Sequence, residues 1–183
     1  IYLAATKRGE GADLPIPAGG LPITIGRIET TVPASGGADT ITTGTGRDIV
    51  LGGAGADLIT TNAGETATAA DGGDLVFGDY GYIDYVVDDR VANDIDRIGT
   101  DDVVSATGGA DRIVAGGGSD IVFGGFGADT LDAGQGANNI VLGDSGRILS
   151  AVTLGAFDLA APLDGHPITL GRIETTKPAD GDG

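Results

Sequence analysis

An aspartate returns every nine residues behind a Gly-x-Gly, in two separate blocks, and this interval limits what the chain can fold into more than any other feature. The second block reads Gly109-Ala110-Asp111, Gly116-Gly117-Gly118-Ser119-Asp120, Gly125-Phe126-Gly127-Ala128-Asp129 and Gly134-Gln135-Gly136-Ala137-Asn138. In the first block, Gly37-Ala38-Asp39, Gly44-Thr45-Gly46-Arg47-Asp48 and Gly53-Ala54-Gly55-Ala56-Asp57 keep the same step. Ile41, Val50 and Ile59 stand two residues after the first-block aspartates, and Ile113, Val122 and Leu131 after those of the second. Each nonapeptide joins a glycine turn, an anionic side chain and a short apolar strand, which predicts an all-β parallel β-roll, a form of β-solenoid.

The spelling has a chemical reason. Glycines at alternate turn positions accept positive φ without steric cost and let carbonyls point inward, so the turn becomes an oxygen cage. A hard cation such as Ca²⁺ takes about six to eight oxygens at roughly 2.3–2.6 Å, which carbonyls and one carboxylate per turn supply without nitrogen or sulfur. One nonapeptide is half a coil, so two return the chain to the same face, one strand spacing of about 4.8 Å higher. Ligands should therefore pair 18 residues apart: Asp39 with Asp57, Asp111 with Asp129 and, on the opposite side, Asp120 with Asn138. The fourth unit of the first block, Asn62-Ala63-Gly64-Glu65-Thr66, puts Thr66 where Asp48 needs a partner, and an incomplete site is expected there. Asp74, behind Gly72-Gly73, resumes the pattern one residue out of step.

These blocks resemble the GGxGxDxUx repeats of the RTX (repeats-in-toxin) calcium-binding β-roll, over about 45% of the chain by residue count. The resemblance implies that the chain folds on meeting Ca²⁺ outside the cell, after export in an unfolded state by type I secretion. It also implies a ligand set: the carboxylates of Asp39, Asp48, Asp57, Asp74, Asp111, Asp120 and Asp129 with carbonyls of the turn glycines, Gly37, Gly44, Gly46, Gly53, Gly55, Gly72, Gly109, Gly116, Gly118, Gly125, Gly127 and Gly136 among them. Asn138 and Thr66 depart from the pattern at ligand positions, and Ser35, Thr43 and Thr107 at glycine positions. Asp79 and Asp144, in the recurring Gly-Asp-x-Gly that closes each block, are either further ligands or turn formers with Asx-type bonds.

Composition narrows the class. Asp+Glu number 27 against 10 Lys+Arg, for a formal charge of −17, yet 40% of residues are hydrophobic, too apolar for an acidic disordered tail. About five filled sites would bring the charge to roughly −7, so an ion-free roll repels itself and the apo chain should be largely unfolded. Cysteine is absent, which removes disulfides and thiolate sites and makes metal cross-links the natural substitute. The acidic balance opposes nucleic-acid binding, and no apolar run approaches the 18 or so residues of a membrane span.

A longer period frames the blocks. Val76-Phe77-Gly78-Asp79-Tyr80-Gly81 recurs as Val141-Leu142-Gly143-Asp144-Ser145-Gly146, and Ile23 to Thr31 recurs as Ile168 to Thr176 with a degenerate copy at Asp96-Arg97-Ile98-Gly99-Thr100. The reading is a lead-in at 1–35, a first block at 36–79, an interlude at 80–107, a second block at 108–146 and a further interlude at 147–183, taken from a longer tandem array. The interludes read as protruding β-hairpins whose neighbours stack into a lateral sheet, with variable, proline-containing tips. Glu29 beside Arg27 and Glu174 beside Arg172 read as weak, exposed cross-strand pairs.

Nothing calls for catalysis. His166 is the sole histidine and sits in a variable tip, no Ser/His/Asp or Cys/His set can be built, and the clustered aspartates are already accounted for as repeated ligands. A threonine ladder for ligand binding fails too, since Thr45 has Ala54, Gly117, Phe126 and Gln135 at its equivalent positions. The expectation is a non-enzymatic structural array whose partners are calcium ions and neighbouring repeats: an extender, adhesin or surface-layer part of a large protein secreted by, or displayed on, a Gram-negative bacterium. The alternative is the calcium-binding repeat module of a secreted enzyme or toxin.

Overall fold

The computed structural model describes residues 2–4, 25–32, 35–63, 72–90, 92, 94–100, 108–155 and 168–177. In chain order, an arm is formed by β1 (Tyr2–Ala4) and β2 (Arg27–Glu29), two coils by β3 (Thr40–Thr42), β4 (Ile49–Leu51), β5 (Leu58–Thr60) and β6 (Leu75–Phe77), and a second arm by β7 (Tyr82–Asp84) and β8 (Arg97–Gly99). Two more coils follow as β9 (Arg112–Val114), β10 (Ile121–Phe123), β11 (Thr130–Asp132) and β12 (Ile140–Leu142), then a third arm as β13 (Ser145–Ser150) and β14 (Leu170–Lys177). Among the described residues there is no helix.

Alternate roll strands stack in parallel into two sheets, β3-β5-β9-β11 and β4-β6-β10-β12. The second block therefore continues the first without a break, β5 pairing directly with β9 and β6 with β10. Middle residues face each other across the roll, where Val50, Ile59, Val76, Ile113, Ala115 and Val122 form one buried cluster. With a single inward apolar residue per strand, the roll interior is one side chain deep from each wall, and a strand of three residues suffices.

The two sheets differ on their outer faces. Strands β4, β6, β10 and β12 are apolar at all three positions, the mark of a strand buried on both sides, whereas Thr40-Ile41-Thr42 and Thr130-Leu131-Asp132 keep polar outer residues in water. What covers the apolar face is the set of arms. They form a six-stranded antiparallel sheet, β1-β2-β7-β8-β13-β14, in which Ile28, Ile83, Ile98, Ile148 and Ile173 lie in one cross-strand row. The first four of these pack with Leu75, Phe77, Ile121, Phe123 and Leu142 in a second core, where the rings of Phe77 and Phe123 stack at 5.0 Å. The described strands of the arms thus form the expected lateral sheet and lie on the roll, where the triply apolar strands give them a surface; the proline-containing tips lie outside the described residues.

The rise of the two layers is matched. Each block adds two strands to each roll sheet and each arm adds two strands to the covering sheet, so both climb by roughly 9.6 Å per unit at the usual strand spacing. On the outer side of the arm sheet, Arg27 pairs with Asp84 and Glu29 and its guanidinium stands 4.6 Å from the Tyr82 ring centroid. The cross-strand partners are Arg27 with Asp84 and Arg147 with Glu174; Glu29 and Arg27, like Glu174 and Arg172, are neighbours along one strand, which corrects the sequence pairing. Truncating Phe123 to alanine should cost the calcium-loaded protein about 3–5 kcal/mol in urea unfolding, while Thr130→Ala on the bare sheet should change stability by no more than about 0.5 kcal/mol.

Candidate metal centre

The turns between roll strands stack into two columns. On one side the Asp39 amide donates to Asp57 Oδ1 (2.8 Å), the Asp57 amide to Asp111 Oδ1 (2.7 Å) and the Asp111 amide to Asp129 Oδ1 (2.9 Å). On the other, the Asp48 amide donates to Asp74 Oδ1 (2.8 Å), the Asp74 amide to Asp120 Oδ1 (2.8 Å) and the Asp120 amide to Asn139 Oδ1 (2.9 Å). Each carboxylate thus gives one oxygen to the coil before it. The glycines singled out from the sequence all lie in the turns, where Gly53 and Gly55 hold φ of +106° and +134°, conformations that only glycine adopts freely.

The pairs 39/57 and 111/129 fall where the 18-residue step puts them, and the structure adds 57/111 and 74/120 across the block boundary. Two sequence readings change. Asp48 finds its partner in Asp74, 26 residues on instead of 18; Glu65 and Thr66 lie outside the described residues. Asn139 rather than Asn138 takes the last place in its column, because that turn is one residue longer. Its Oδ1 serves the ladder and its Nδ2 donates to Ala133 O (2.7 Å), so the final rung carries a neutral amide.

The second carboxylate oxygen is the informative one. Oδ2 of Asp48, Asp57, Asp74, Asp111 and Asp129 is buried without a hydrogen-bond partner among the described residues. A desolvated anionic oxygen is costly unless a cation meets it. Its neighbours are carbonyls. A Cβ built on Gly52 would overlap the Gly78 carbonyl oxygen and stand 2.7 Å from Asp57 Oδ2, and one on Gly124 would meet the Gly143 carbonyl and Asp129 Oδ2, so the glycines leave these oxygens facing a shared space. No three carboxylates converge among the described residues, so carbonyls must supply most of any ligand shell, as a hard oxygen-seeking cation requires.

Electrostatics agree. Burial, first of all, raises Asp74 to about 6 and Asp111 to about 7, with neighbouring aspartates adding to the rise and backbone donors opposing it. Asp57 and Asp129 are also raised, again chiefly by burial. Asp79 differs in kind: its Oδ2 accepts from the Phe126 amide (2.6 Å) and its Oδ1 from that of Gly109 (3.3 Å), so neither oxygen is left over. Asp144, which follows Gly143 in the same way, is half-buried.

A family model for the RTX calcium-binding nonapeptide repeat matches residues 33–66, 99–131 and 116–147, which include every roll strand but Leu75–Phe77. The matched stretches are RTX repeats. Such repeats bind Ca²⁺, several ions per array, and the empty-handed carboxylate oxygens are what that ion would meet. The RTX segment is a structural calcium-binding module and not a catalytic one. No curated protein and no solved structure matches the chain. Among the described residues, no helix is long and apolar enough to cross a membrane.

The raised carboxyls fix a pH dependence. In the stacked, ion-free state they hold protons that the unfolded chain, with an ordinary value of 3.8, has released. Asp79 is raised too, to about 8, chiefly by burial, so folded binds more protons than unfolded and ion-free stability falls as pH rises from about 4 through about 8. In chelator, the circular-dichroism sheet signal should be stronger at about pH 5.5 than at about pH 7.5, and correspondingly less Ca²⁺ should be needed to reach half-folding at the lower pH, although protons and the ion compete for the same oxygens within the folded roll. Equal signals at both values would contradict the burial of these groups.

Proposed function

We propose that this chain is a rigid extender segment of a large protein secreted by, or displayed on, a Gram-negative bacterium, unfolded where Ca²⁺ is scarce and locked into a roll where it is plentiful. The observation that carries this reading is the double column of buried, half-satisfied aspartates. The proposed ligands are Oδ2 of Asp57, Asp74, Asp111 and Asp129, with Asp39, Asp48 and Asp120 at the equivalent rungs, and the carbonyls of the facing turns. In this scheme the chain's own residues do two things: each aspartate Oδ1 sets the register of adjacent coils, and the glycine turns bring carbonyls within reach of the remaining oxygen.

An extender is supported by the matched rise of roll and arms, which lets any number of units add without strain.

The test is a Ca²⁺ titration of the chelated chain followed by circular dichroism and small-angle scattering. Sheet signal and compaction should appear together at about 10⁻⁴–10⁻³ M Ca²⁺, and Mg²⁺ at the same concentration should fail, because it demands a smaller octahedral shell. Asp111→Asn should raise the Ca²⁺ midpoint by roughly three- to tenfold, a loss of up to about 1.4 kcal/mol. A chelated chain already compact and sheet-rich would refute the reading.

A further inference from the structure

The second arm interrupts a single turn. Removing 80–107 leaves Gly78-Asp79 followed by Gly108-Gly109-Ala110-Asp111, six residues that match Gly52-Gly53-Ala54-Gly55-Ala56-Asp57 position for position. The stacking agrees: the Gly52 amide donates to Phe77 O (2.9 Å) and the Gly78 amide to Phe123 O (2.8 Å), while Asp111 occupies the aspartate rung. The arm is therefore inserted between the second and third positions of a metal-binding turn, and Asp79 is the residue at which the chain leaves.

We propose that Asp79 is the closing group of this split turn, a positioning residue that lets a calcium-binding turn carry an arm, and not itself a calcium ligand. The uninterrupted turns have glycine at this position, Gly53 and Gly125, with φ of +106° and +108°. Among described non-glycine residues only Arg90 has positive φ, so Asp79 does not make that left-handed step, and the chain runs outward instead of around. Its carboxylate then replaces the backbone contacts that the missing step forfeits. It is 1% exposed and reaches Gly109 beyond the insertion and Phe126 in the next coil, while its own carbonyl accepts from Gly53 in the coil before (2.9 Å). One residue thus ties three coils. The space it fills exists only because its neighbours lack side chains: a Cβ on Gly108 or on Gly125 would collide with Asp79 Oδ2. Tyr80, also 1% exposed, sits 6.1 Å from the Phe126 ring and anchors the base of the arm beside the same turn.

This assignment rests on the calcium reading of the aspartate columns, and the test separates the two. Calcium stoichiometry by equilibrium dialysis and amide hydrogen exchange are compared for the full chain, Asp79→Ala, Asp79→Asn and Asp111→Asn. Both Asp79 variants should bind as many ions as the parent, while exchange accelerates at least about tenfold at both the Phe126 and Gly109 amides in Asp79→Ala and at one of the two in Asp79→Asn, and the β7–β8 arm loses protection with them. Should Asp79→Ala fail to fold in Ca²⁺, Asp79→Asn, which keeps one acceptor, carries the comparison. An Asp79 variant that binds one ion fewer with the Phe126 amide still protected overturns the proposal, and so does one in which neither quantity moves. If the parent binds no Ca²⁺ at all, the column reading fails, and Asp79 is judged on the exchange data alone.

Discussion

The structure depends on one divided side chain. Asp57, Asp74, Asp111 and Asp129 each give Oδ1 to the amide of the preceding coil and keep Oδ2 buried without a hydrogen-bond partner among the described residues. The first contact sets register, since a slip of one residue would turn the side chains of the following strand to the other face. The second creates a debt that only a cation can settle, because the nearest charges are other carboxylates and the nearest dipoles are carbonyls. Cohesion and repulsion thus reside in the same groups, and the ion decides which wins. A chain with a formal charge of −17 and no disulfide has little else with which to hold a narrow roll together.

The arms solve a second problem. A roll with one apolar residue per strand has a thin core, and thin cores are marginal. Making one wall apolar on both faces and laying a sheet on it adds a second core, centred on Phe77, Phe123 and the row of isoleucines. Because a hairpin and a pair of coils rise by the same amount, the covering sheet stays in step with the roll. In this outer layer the ion pair of Arg27 with Asp84 ties the first arm to the second, and that of Arg97 with Asp88 braces the second arm internally.

Much of this was legible in the chain. The nine-residue interval revealed the coils, the carboxylate rungs and the pairs 39/57 and 111/129, since within a block sequence distance and stacking distance keep a constant ratio. That ratio breaks wherever the chain between two rungs is longer than the repeat. Asp48 and Asp74, Asp57 and Asp111, and Asp120 and Asn139 were missed or misplaced for this reason alone. The join between blocks had a signal, the half-turn Gly78-Asp79 and its complement Gly108 to Asp111, but two halves separated by an arm do not look like one turn until they meet. The docking of the arms was also written in the strands: Leu75-Val76-Phe77 and Ile121-Val122-Phe123 have no polar face, unlike Thr40-Ile41-Thr42, and a wall without a polar face needs a cover.

The central claim is that Ca²⁺ sits between stacked turns and meets the second oxygen of each rung aspartate. Anomalous diffraction from crystals grown in Ca²⁺ tests it most directly, by locating calcium atoms without reference to protein geometry. The account predicts peaks in both columns, each about 2.3–2.6 Å from an aspartate Oδ2, including one at Asp111 where the two blocks meet. A crystal that shows the same stacked coils with no anomalous peak beside Asp57, Asp74, Asp111 or Asp129 would contradict it.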